Sequence, residues 1–202
     1  MLRRFSMQIA RATVLSCILF ACVASAYDSY SQDTEAQRTF NGFVDKAKLG
    51  GSTETAFLKL DDVKGSSTNP AGGTDEITVL FARNFISVAP PTNGTTTASK
   101  AVPADYFLAI PVDVSSPLLA QAAASGRLFH RAHISFWRPE LGQQRMYAEV
   151  TLTDVRVSYY LNTLAPVSAI PNIAIIGLRF GAVAWGVGST KGGYDFRTYK
   201  SL

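Results

Sequence analysis

The chain has 202 residues, with 19 Lys and Arg against 15 Asp and Glu and only two cysteines. Three of the basic residues, Arg3, Arg4 and Arg11, fall in the first 26 positions together with both cysteines, while every acid lies beyond them. The remaining 176 residues therefore carry a charge near +1 and no thiol, which argues against a nucleic-acid or acidic-membrane partner, a disulfide framework and a cysteine nucleophile.

The N-terminus has the three parts of a secretory signal peptide. Arg3, Arg4 and Arg11 are followed by the uncharged run Ala12 to Val23 and by Ala24-Ser25-Ala26, a small-residue cleavage site. The apolar run is too short to span a bilayer, so no stable membrane span is expected after cleavage. Residues 1–26 are read as the signal, with cleavage specified by Ala24 and Ala26 and a mature start at Tyr27. Lipidation at Cys22 is the alternative, and Phe20 fits that site poorly.

Residues 27–53 are polar and read as a tether with a short helical turn near 43–48. A folded domain is expected over 54–187. Thr55 to Leu60 is its first strand, followed by a Gly-, Ser- and Thr-rich loop from Asp61 to Asp75. Glu76 to Val88 alternates as one strand, 89–103 is a second polar loop, and Asp105 to Val114 is a third strand in which Pro111 marks an edge or bulge. Ser115 or Ser116 caps a helix with Pro117 in its first turn and Gly126 past its end. Leu118, Leu119, Ala122 and Ala123 share a face of that helix, which should lie on the apolar side of a sheet or plug a barrel end.

In the second half, strict alternation places Leu128, His130, Ala132, Ile134 and Phe136 on one side of a strand, with Phe129 and Trp137 pointing outward as interface candidates. A turn is expected at 139–142. Strands follow at 146–153 and 155–161, with Asp154 as the turn between them. One long apolar strand is expected over 173–185, then a glycine-rich break at 186–193 and a polar tail over 188–202. The class is mainly β: a barrel or sandwich of about seven or more strands with one short α-helix.

The pieces, in order, resemble the Hcp family, the tube proteins of type VI secretion. The resemblance rests on Phe57-Leu58-Lys59-Leu60 with the loop through Gly65, on Asp75 to Leu80, and on the junction Pro111 to Leu119 that holds Asp113, Ser116, Pro117 and Leu118. It continues through the helix end at Gly126, the stretch Tyr147 to Tyr160 around Asp154, and Leu178-Arg179-Phe180 with Ala184-Trp185. It implies a structural subunit that forms a homo-oligomeric ring, a hexamer by family likeness. The loop at 61–75 would then reach a neighbouring subunit, and secreted passenger proteins would be partners. The chain departs from the family at Ile110, where a basic residue is common, and at 171–173, where an acidic residue is common. The signal peptide is the largest departure, and it leaves open an exported binding or adaptor module outside any tube.

No catalytic apparatus is legible. His130 and His133, three apart on a strand, face opposite sides and cannot easily share a metal. Neither a nucleophile elbow nor a phosphate-loop order is present, so no enzyme activity, cofactor or metal is expected. N-terminal sequencing of the exported protein tests the leader: the product should begin at Tyr27, and an intact Met1 or a lipidated Cys22 would refute that cleavage.

Overall fold

The computed structural model describes residues 34–39, 41–42, 54–69, 73–88, 100–163 and 172–202. The proposed signal at 1–26, the turn expected at 43–48 and the loop at 164–171 lie outside these residues. The chain divides into two compact units at Gln37/Arg38, and the second, Arg38–Leu202, holds every described strand. A first helical stretch, α1, occupies 34–39 and 41–42, earlier than the turn expected.

Twelve strands are described: β1 Thr55–Leu60, β2 Ile77–Val79, β3 Phe81–Arg83, β4 Ile86–Val88, β5 Ala101–Pro103, β6 Tyr106–Pro111, β7 Leu128–Glu140, β8 Gln143–Thr163, β9 Ile173–Arg179, β10 Ala182–Val187, β11 Thr190–Asp195 and β12 Lys200–Ser201. Helix α2, Ser116–Ser125, lies between β6 and β7. The mainly β reading holds, and the architecture is a sandwich. One run of neighbours is β12-β11-β10-β8-β7-β1-β2, and a second connects β3, β6, β9 and β8. Pairing is antiparallel throughout.

Two segments pass from one run to the other. The ribbon expected as a single strand over 76–88 is broken. β2 pairs with β1, and β3 pairs with β6 after Leu80, whose N–H donates to the Ala109 carbonyl at 2.8 Å. β8 makes the other passage. Its residues Ala148 to Thr153 pair with β10, and Arg156 to Thr163 pair with β9.

Asp154 is therefore not a turn between two strands. It sits inside one 21-residue strand with a left-handed backbone, φ 53°. Asp tolerates that conformation better than most residues. The inward side chains of β8 run Val150, Leu152 before it and Val155, Val157 after it, so the alternation slips by one position. The paired strand slips with it: Phe129 faces in, then Ala132 and Ile134. Period-2 reasoning across this point therefore assigned Phe129 to the wrong face. It is 1% exposed, a core residue and not an interface residue, whereas His130 is exposed.

The core lies between the two runs. Leu58, Leu60, Ile77 and Ile134 meet Leu108, Ile110, Ile176 and Leu178. Leu119 and Ala122 of α2 are buried in the same core, while Leu118 on its flank is 45% exposed, so the expected helix face is narrower by one residue. Ile110 is fully buried and pairs with Ala174. The absent basic residue at this position therefore removes no surface charge: a cation here would sit in the core.

The long strand expected over 173–185 is interrupted at Phe180-Gly181, where β9 ends and β10 begins. The expected tail is a hairpin that extends the sheet. β11 pairs along all of β10, and β12 pairs with its end. Asp195, 8% exposed, accepts the N–H groups of Arg197 at 2.8 Å and Thr198 at 3.2 Å and so closes the turn into β12. Phe196 packs edge-on to Phe180 and Tyr194. The glycines at 186–193 hid this hairpin, because strand propensity undervalues residues whose pairing is set by a neighbour.

Gly65 shows how tightly the 61–76 loop folds back on its own chain. A Cβ there would lie 2.2 Å from the Glu76 carbonyl oxygen, and the Gly65 N–H donates to the Asp75 carbonyl at 2.9 Å. Gly65→Ala forces backbone apart and should cost about 3 kcal/mol, at the upper end of single substitutions. Urea unfolding should show a lower midpoint, and an unchanged midpoint would refute the close approach.

Candidate assembly surface

The motif residues separate into a buried set and a surface set. Phe57, Leu58 and Leu60 are buried, and Phe57 lies under Gly73, whose added Cβ would meet its ring at 2.6 Å. Lys59 is exposed on the outer side, in register with His133 of β7. Gly65, Asp113 and Ser116 come together where the first loop meets the start of α2.

Asp113 organises that meeting. One carboxylate oxygen accepts from the N–H and hydroxyl of Ser66, at 3.0 and 2.9 Å. The other accepts from the N–H and hydroxyl of Ser115, at 2.9 and 2.5 Å. In return the Asp113 N–H donates to Ser116 Oγ at 3.0 Å. Ser115 is the N-cap by position but makes no side-chain cap bond. The serines thus serve the loop rather than the helix, and Pro117 follows in the first turn. At the other end Gly126 is left-handed, φ 64°, and its N–H donates to the Ala122 carbonyl. The Gly126 carbonyl accepts from Arg156.

A second set of acids pins the start of the loop. Asp61 accepts from the N–H groups of His130 and Arg131 at 2.7 and 3.2 Å, where β7 lacks a partner opposite Asp154. Arg127 Nη2 donates to both carboxylate oxygens of Asp62, at 2.7 and 3.0 Å, and this bond holds the Asp62 carboxyl below its ordinary range. Asp154 itself pairs with Arg197, away from the Asp113 cluster. The buried Asp105 binds Ser158 and Arg179, tying β8 and β9 to the residue before β6. No sequence motif signalled that triad, because its members lie 53 and 74 positions apart.

Exposed apolar side chains mark the outer surface. β4 and β5 form a two-stranded sheet of their own, and Phe85, Val88 and Val102 are 57%, 55% and 62% exposed. Trp137, an outward candidate, is half-buried, and its indole N–H donates to Ser135 Oγ at 2.9 Å. His133 Nε2 and Glu149 Oε2 lie 3.2 Å apart, and Lys191 approaches the other oxygen of Glu149 at 3.2 Å. Among the described residues no group of three or more His, Cys, Asp or Glu is placed to hold a metal, and no helix is long and apolar enough to cross a membrane.

The profile of the family described as "Type VI secretion system effector, Hcp" matches residues 57–186. The chain belongs to the Hcp family. The matched region runs from β1 to β10 and includes both the Asp113 junction and the Asp154 passage. Hcp1 from Salmonella typhimurium shares 23% identity, covers 74% of this chain and 99% of its own, and superposes with a TM-score of 0.62. A solved type six secretion system protein shares 22% identity over 73% and 99% of the two chains, with a TM-score of 0.65. Hcp1 from the E. coli EAEC 042 pathovar shares 19% over 72% and 99%, with a TM-score of 0.61. These structures share the fold. A comparison with curated protein sequences gives no match. The protein is thus a structural secretion subunit of the type VI class.

The Glu149 contacts have a pH signature. Hydrogen bonds from His133 first, and then from Lys191, hold the Glu149 carboxyl below 4.5. A carboxyl lowered in the folded state stabilises it above the unfolded value, and this is lost as pH falls through the folded one. The melting temperature of wild type relative to Glu149→Gln should therefore fall as pH is lowered through the carboxylate range. A difference that does not shrink in acid would refute this.

Proposed function

We propose that the mature protein is a non-catalytic ring-forming subunit, exported by its signal peptide and assembled with copies of itself into a homo-oligomer, a hexamer by family likeness. The observation that carries this reading is the family match across β1 to β10. The isolated β4–β5 hairpin adds a physical reason. A two-stranded ribbon is marginal by itself in water, and this one presents apolar residues on both faces: Ile86 and Val88 with one parity, Phe85 and Val102 with the other. A neighbouring subunit that covered it would remove that apolar surface from water.

Trp137 and the outer part of the 61–75 loop belong to the same proposed interface. Lys64 and Asp75 form an exposed ion pair at 3.0 Å on that loop, which a neighbour could exchange for contacts of its own. Secreted passenger proteins would occupy the ring's interior.

A second reading, an exported Hcp-like adaptor without a ring, is favoured by the signal-like N-terminus, since a chain threaded through a translocon folds only on the far side. Light scattering of the purified mature protein over a concentration series, with negative-stain electron microscopy, separates the two. Rings of about six subunits are expected. A monomer at every concentration would overturn the ring and leave the adaptor.

A further inference from the structure

Two left-handed aspartates flank β7. Asp154, φ 53°, lies on the β8 side, and Asp61, φ 35°, follows the end of β1 on the other. The β7–β8 register steps from Phe129↔Val155 to Arg131↔Thr153, so His130, opposite Asp154, has no paired residue on β8. The Asp61 carboxylate accepts the N–H groups of His130 and Arg131 at this step, at 2.7 and 3.2 Å. Asp61 also starts the turn closed by the Val63 N–H on the Leu60 carbonyl at 2.8 Å, from which the first loop leaves. The two strained residues are therefore joined through the backbone of β7.

Asp154 has a further partner near the C-terminus. Arg197 pairs with Asp154 and also holds Asp195, Nε to Oδ1 at 3.1 Å and Nη2 to Oδ2 at 2.9 Å. Asp195 is buried, and its Oδ1 also accepts the N–H groups of Arg197 and Thr198. The guanidinium is thus fixed from one side before it meets Asp154. Gly181 makes room for it: a Cβ there would lie 3.0 Å from Arg197 Cδ and 3.4 Å from Asp154 Cβ. The Gly181 N–H donates to the Thr153 carbonyl at 2.9 Å, and its own carbonyl accepts from the Phe196 N–H at 3.0 Å. The C-terminal turn therefore meets the β8 passage through both side chain and backbone. A partly exposed ion pair adds little to overall stability. Here it bears on a discrete choice, because the left-handed and extended regions are separate wells.

We infer that the C-terminal turn and the first loop are conformationally coupled through Asp154. Arg197 holds the left-handed passage, the passage leaves the β7 amides to Asp61, and Asp61 fixes the turn that launches the loop at 61–75. Arg197 is a positioning residue for that loop and acts on it through these links. The coupling is reciprocal, so whatever steadies the loop also steadies the C-terminal turn. A neighbour that engaged the loop in the proposed ring would tighten the β11–β12 hairpin. The coupling itself belongs to the single chain and does not need the ring.

Hydrogen exchange read by mass spectrometry on the purified mature protein tests it. Arg197→Lys keeps the charge and loses the fork, and Gly181→Ala crowds the Arg197 side chain from the other side. Both should speed exchange about threefold or more at residues 130–131 and 62–68, as well as in the C-terminal turn. Arg145→Lys, at the exposed pair with Glu140 elsewhere on β8, should leave these segments unchanged. Asp61→Asn should speed exchange over 195–202, and in its background Arg197→Lys should add nothing at 62–68. Faster exchange confined to 181–202 would overturn the coupling and make Arg197 a local clamp. A uniform rise in every strand would overturn it too, as general destabilisation. A monomeric wild type would overturn the ring and leave these expectations in force.

Discussion

One left-handed aspartate in the middle of β8 sets the arrangement of everything around it. Asp154 lets a single strand serve β7 and β10 on one side of the passage and β9 on the other. A 21-residue strand without such a break would keep one face inward and would run past the core edge. With it, Val150 and Leu152 and then Val155 and Val157 all reach the core, although the parity changes between them. The unpaired backbone that the break leaves on β7 is taken up by the Asp61 carboxylate, which links the slip to the start of the first loop. That coupling across 69 and 70 positions joins the end of β1 to the β7–β8 pair before any subunit contact is made.

Asp113 plays a comparable role at the junction of the first loop with α2. Its carboxylate accepts four hydrogen bonds from two serines in different segments, so the loop and the helix junction cannot move independently. Charge-assisted bonds to backbone N–H groups are the stronger class, and each would leave an orphaned donor if the acid were lost. The loop is thereby held at its root by its own chain. This is what a structural unit requires, since a mobile loop would spend contact energy on being ordered.

The surface carries the complementary half of the design. The described core is closed largely by aliphatic packing from strands and α2. Much of what is left exposed and apolar sits on projections, the β4–β5 ribbon and the β7–β8 tip. Projections of this kind contribute little to the stability of one chain. They are the surfaces that the proposed assembly would cover.

The mainly β class, the Pro-initiated helix, the turn that joins β7 to β8 and the family were legible in the residues, because turn, cap and apolar-run signals act over a few positions. The Asp113 junction was legible as a motif but not as a network, since Ser66 lies 47 positions away. Phe129 and the C-terminal hairpin were misread for one reason: alternation and propensity are local, whereas the face of a strand after a left-handed residue is set by the sheet that receives it. The chain by itself determined where many of the strands and the helix would form and which stretches would be apolar. Tertiary structure alone decided which face turned inward, because burial is a property of two strands and a core, and no residue carries it alone.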